Sequence, residues 1–92
     1  MSRVAIRRPH ALTADDVRAR VSRVATKITE RFGATCRWDG DVLRIAHRDV
    51  NGSVTLEPDA VNVEVRLSLA LGLFRSRAEQ EITRILDREL QA

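Results

Sequence analysis

Between residues 35 and 69 apolar side chains alternate with polar ones, and three turn-forming pairs break the alternation: Asp39-Gly40, Asn51-Gly52 and Pro58-Asp59. Period-two alternation puts every second side chain on one face of a strand. Turns this closely spaced leave no room for a crossover helix, so the segment is expected to fold as an antiparallel meander. Read as a two-residue loop, Asp39-Gly40 sets Trp38 opposite Asp41 and Cys36 opposite Leu43, and Cys36, Trp38, Leu43 and Ile45 then share a face. Asn51-Gly52, read the same way, brings Val54 and Leu56 to the face of Ile45 and His47. Pro58-Asp59 fits the centre of a type I turn. The strand after it points Val61, Val63, Val65, Leu67 and Leu69 inward and Asn62, Glu64, Arg66 and Ser68 outward.

Two helical stripes flank the meander. Thr13 suits an N-cap, Asp15 and Asp16 follow where carboxylates favour the positive end of the helix dipole, and Gly33 suits a left-handed terminus. Between them Val17, Val21, Val24, Ala25, Ile28 and Phe32 recur at helical spacing. A second helix is expected from Ser76, with Ser76 and Glu79 as a capping box and Ala78, Ile82, Ile85, Leu86 and Leu90 as its apolar face. At the other end "RVAIRR" alternates as a half-buried strand that Pro9 stops. The order is β-α-β-β-β-β-α, an α+β two-layer domain spanning residues 1–92, with both helices on one face of an antiparallel sheet. Arg37, Arg44, Thr55, Asn62, Glu64 and Arg66 are left for the opposite, wet face. The place of the first strand in the sheet stays open.

At 92 residues, with 43% apolar and 32% charged residues, the chain can bury one small core. A single cysteine excludes an internal disulfide. The arginine-rich start is unlike a signal peptide, and no apolar run nears the roughly 20 residues of a spanning helix. A cytoplasmic location is expected. Charge is uneven: residues 1–37 carry nine basic side chains against three acids, and residues 38–92 carry seven against ten. Arg20, Arg23, Lys27 and Arg31 lie along the outward side of the first helix. That side is either an ordinary solvated face or an anion-binding one that would take nucleic acid.

Little in the chain suggests reaction chemistry. Cys36 points to the core side and is expected to be buried and inert. His10 and His47 have no acidic neighbour at ligand spacing, and each glycine has a turn or cap to explain it. The expectation is a protein with no catalytic residues, no cofactor and no metal. One stretch is unusual. "LSLALGLF", residues 67–74, carries Leu71, Leu73 and Phe74 to the join between last strand and last helix. They either plug the end of the core or form an apolar patch for attachment or dimerisation.

Several segments together resemble a known family: "IRRPHAL", "ERFGATCRWDGDVLRI", "NGSVTLEPDAVNVEVRLSLALGLFRSRAEQEI" and "ILDREL". The chain resembles the small bacterial polyhydroxyalkanoic acid system family proteins, whose genes lie near those for polyhydroxyalkanoate storage polymers. The resemblance implies association with storage granules, through the polymer surface or a granule protein, or a part in their regulation. It also singles out Arg8 and His10, which match the family's Arg-x-His-x-Leu pattern, as the candidate polar site. A nucleic-acid-binding regulator and a helix-grip binder of a small apolar ligand are the competing readings.

Overall fold

A computed structural model describes residues 2–90, and the backbone alone for Ser2 and Ala70. The elements run β1 (Ser2–Pro9), α1 (Ala14–Phe32), β2 (Thr35–Asp39), β3 (Val42–Ala46), β4 (Val50–Leu56), β5 (Ala60–Leu67), a 3₁₀ helix (Leu69–Phe74) and α2 (Arg75–Glu89). The strands form one antiparallel sheet in the order β1-β5-β4-β3-β2. Strands β2 to β5 are the expected meander. β1 completes the sheet beside β5, and α1 carries the chain from that edge to the other.

Register explains the core. Pairing Val4 with Val65, Ile6 with Val63, Val63 with Val54 and Val54 with Leu43 lines these side chains up on one face. On that face they form a single cluster with Val17, Val21 and Ala25 of α1 and Leu86 of α2. Both helices therefore pack on the same side, which is the expected α+β layering. Val4, Val17 and Val61 are the largest side chains buried outright. The other face carries Arg37, Arg44 and Arg66, all exposed, with Thr55, Asn62 and Glu64 half-buried.

The caps of α1 form as expected. Asp16 N–H donates to Thr13 Oγ1 at 3.2 Å, and Gly33 takes φ +68° while its N–H donates to Thr29 O. Phe32 departs from expectation: in the last turn of α1 it is 66% exposed and takes no part in the core cluster.

Two turns sit elsewhere than expected. The first loop is Gly40-Asp41, with Asp39 paired to Val42 and Trp38 to Leu43. Gly40 has φ +60° and Asp41 does not have positive φ, which matches a turn with glycine at its first central position. An Asp39-Gly40 loop of the twisted hairpin kind would instead force positive φ on Asp39. The second loop is Arg48-Asp49, closed by His47 N–H to Val50 O at 2.8 Å, so Asn51 and Gly52 lie inside β4. Pro58-Asp59 is the third loop, closed by Glu57 N–H to Ala60 O at 2.9 Å.

β5 ends at Leu67, two residues short of the expected strand. Ser76 and Glu79 form no capping box. The 3₁₀ helix runs directly into α2, Arg75 N–H donates to Gly72 O, and Ser76 falls inside the first turn.

Candidate functional site

The 3₁₀ helix holds the feature that the rest of the molecule does not explain. Ser68 N–H donates to Asp49 O at 2.9 Å, the last bond tying the chain to the neighbouring hairpin, and Leu71 N–H then donates to Ser68 O at 3.1 Å. From there three residues make a turn. A strand would have put Leu69, Leu71 and Leu73 on one face. A three-residue turn spreads them around the axis instead. Leu71 turns in and is half-buried, whereas Leu69 is 81%, Leu73 94% and Phe74 54% exposed. The segment packs against β1, β5 and α2, so its exposed side chains stand on a braced support.

Of the expected patch, Leu73 and Phe74 face solvent and Leu71 anchors the turn. Leu69, expected to continue the inward face of the strand, is the outward residue that alternation missed. The signal available was Ser68 followed by four residues of which one is Gly72, a poor continuation for a strand.

Arg8 and His10 have structural partners, and these lie apart. Arg8 lies on the helix face of the sheet with its Nε 3.1 Å from Asp87 Oδ1 of α2. The Nε–H does not align on that oxygen, which makes the contact an ion pair rather than a hydrogen bond. His10 turns to the β4–β5 loop. Its Nδ1 accepts from Leu12 N–H at 3.1 Å, so Nε2 carries the proton and donates to Glu57 O at 3.2 Å. His10 N–H also donates to Asp59 O at 2.8 Å. Around this corner Asn62 Nδ2 donates to Glu57 Oε1 at 2.6 Å and Arg7 lies 3.5 Å from Glu57 Oε2. The polar run staples the β1–α1 connection to the sheet.

The basic side of α1 is partly occupied by α2. Arg20 Nη1 donates to Glu89 O at 2.8 Å, and the Glu89 carboxylate, 14% exposed, lies 3.7 Å from Arg23 and 3.8 Å from Lys27. Arg31 lies further along, in the last turn. One acid thus offsets part of the expected anion-binding face.

Between α1 and β2–β3 runs an open groove of about 370 Å³, with Ala25, Cys36, Trp38 and Leu43 along it and Thr26 and Thr29 at its rim. Cys36, expected to be buried, is half-buried there because no second helix covers this end of the sheet. Thr29 Oγ1 donates to Ala25 O at 3.0 Å and Thr26 Oγ1 to Ser22 O at 3.1 Å, so both rim hydroxyl protons are engaged. Arg18 stacks over Trp38, 4.1 Å from the ring centroid. The space is open to solvent, unlike the enclosed cavity a helix-grip binder would need.

Among the described residues no three of His, Cys, Asp and Glu converge on a point that could hold a metal ion. His47 is exposed at the β3–β4 loop and shares no cleft with the His10 corner among the described contacts. No described helix is long and apolar enough to cross a membrane.

Comparison with known proteins yields one finding. A family model described as "Putative polyhydroxyalkanoic acid system protein" matches residues 4–90. No curated protein and no solved structure matches the chain. The matched span runs from the middle of β1 to the residue after α2, and takes in the core, the His10 corner and the exposed 3₁₀ helix. The chain belongs to the polyhydroxyalkanoic acid system protein family.

Proposed function

We propose that this is a non-enzymatic protein of the cytoplasm that attaches to the hydrophobic surface of polyhydroxyalkanoate storage granules through Leu69, Leu73 and Phe74. The observation that carries the reading is the exposure of three large apolar side chains on one braced hexapeptide. Fully burying such a side chain contributes about 1.5–3 kcal/mol, and three together give an attachment that is reversible rather than permanent. Arg75 and Arg77, both exposed, follow at once and keep the rim wet. Membership of the polyhydroxyalkanoic acid system family supports the choice of surface.

The experiment is co-sedimentation of the purified chain with purified polymer granules, beside a Leu73→Glu, Phe74→Glu double variant whose circular dichroism matches the parent. The parent should pellet with granules and the variant should stay in solution. Equal pelleting of both overturns the reading.

A further inference from the structure

The apolar protrusion at Leu69, Leu73 and Phe74 does not stand alone, because arginines are held beside it on every connected element. Ser68 N–H, at its base, donates to Asp49 O at 2.9 Å, which keeps the Arg48-Asp49 loop there. Arg66 lies just before Ser68 and pairs directly with Arg3 across β5 and β1. Arg75 and Arg77 follow Phe74, and Arg75 Nε donates to Arg3 O at 2.8 Å. Arg3, Arg48, Arg66, Arg75 and Arg77 are all exposed. Against them stand Asp49, Glu64 and Glu79, so positive charge is in excess.

Two of these placements go against local preference. Like charges directly opposite on paired strands are destabilising, yet Arg3 faces Arg66 and the two share Glu64, at 3.0 and 3.9 Å. Cations in the first turn of a helix oppose the positive end of its dipole, yet the first turn of α2 holds Arg75 and Arg77 and no acid. α1 follows the rule with Asp15 and Asp16. Among the described residues the side chains of Arg48 and Arg77 form no ion pair or hydrogen bond, so neither gains anything from the fold. Local rules broken without internal gain mark surfaces kept for function. At the opposite end of the sheet, by contrast, Arg7, Arg18 and Arg44 are each paired with loop or turn acids.

We propose that this end of the molecule docks on an anionic lipid layer, with the apolar side chains below the headgroups and the arginines at the phosphates. Charge complementarity chooses the occupant. A nucleic acid would meet the arginines but offers no apolar layer for Leu73, 94% exposed. An uncharged polymer would take Leu73 but leave the arginines without a partner. A lipid layer with negative headgroups takes both. No described helix is long and apolar enough to cross such a layer, so the contact is interfacial. The proposal rests on the same exposed side chains as the polymer reading and adds a second surface to it.

The test is co-sedimentation of the full chain with two kinds of vesicle: pure phosphatidylcholine, and two parts phosphatidylcholine to one part phosphatidylglycerol. Binding is expected on the anionic vesicles, about tenfold or more weaker on the neutral ones, and falling with added salt. Each arginine near such a surface contributes about fivefold in affinity, so the Arg48→Gln, Arg77→Gln variant should bind the anionic vesicles about 25-fold more weakly. It should melt like the parent. Equal binding to both vesicles, none to the anionic ones, or unchanged binding by the arginine variant overturns the proposal. Adsorption to polymer particles without binding to anionic vesicles also overturns it and leaves the polymer reading standing. Binding to anionic vesicles without adsorption to polymer supports it and removes the polymer reading. A parent that ignores both vesicles but doubles its mass through Leu73 assigns the protrusion to a second copy, which overturns it too.

Discussion

Arg20 donates from Nη1 to the main-chain carbonyl of Glu89 at 2.8 Å, so a cation of the first helix closes the open carbonyl end of the second. The last carbonyls of a helix have no partner within it, and positive charge there is favourable. Arg23 and Lys27 then hold the Glu89 carboxylate itself, at 3.7 and 3.8 Å.

Glu89→Gln should therefore lower stability by about 1 kcal/mol, which for a domain of this size is about 5 °C in Tm. The same variant frees two cations. If the α1 face were a nucleic-acid surface, DNA retention would rise with it and fall steeply with salt. The structure leads us to expect neither parent nor variant to be retained by DNA at physiological salt, as measured by electrophoretic mobility shift.

Gly40 and Gly52 should respond unequally to asparagine. Gly40 has φ +60°, strained for a side chain, but open space around its Cβ direction, so Gly40→Asn should cost that backbone strain alone, about 1 kcal/mol. A Cβ on Gly52 would lie 3.2 Å from Glu64 O and 3.5 Å from Val65 Cγ2. That oxygen belongs to the backbone of a central strand and cannot step aside. Gly52→Asn should cost about 2 kcal/mol, read from urea midpoints. Equal costs would mean that Asn51-Gly52 is a turn after all.

This pair of glycines shows what the sequence could tell. Alternation set which side chains share a face, and both misplaced loops shift the register by an even number of residues, so the strands' inward face up to Leu67 matches the expected one. The loop positions were not legible, because Arg48-Asp49 carries no glycine while the conspicuous Asn51-Gly52 lies inside a strand. Thr13 and Gly33 were legible since capping depends on a few neighbouring residues. Leu69 was not, because the switch from a two-residue to a three-residue period happens at Ser68, where a long-range bond to Asp49 ends the strand. Phe32 fits its helical stripe, but spacing alone cannot say where the sheet beneath a helix stops.

At the His10 corner, His10→Asn keeps an oxygen where Nδ1 accepts from Leu12 N–H and loses the reach to Glu57 O. Each lost bond should cost about 1 kcal/mol. His10→Ala is expected to lower the urea midpoint by about twice as much as His10→Asn. If the corner served a ligand instead of the fold, the two variants would leave stability unchanged.

Within residues 67–74, burial sets the sign of each change. Leu73 is 94% exposed, so Leu73→Glu should alter stability by no more than about 0.5 kcal/mol. Leu71→Glu buries part of a charge against the sheet and should cost about 2 kcal/mol or more. Thermal melts of the two variants check the contrast.

Attachment to an apolar polymer is tested most directly on protein-free polyhydroxyalkanoate particles, with no granule proteins present to act as intermediaries. A Leu69→Glu, Leu73→Glu variant that melts like the parent should lose most of the parent's adsorption at matched concentration. Adsorption by the variant equal to that of the parent, or none by either, would contradict the account.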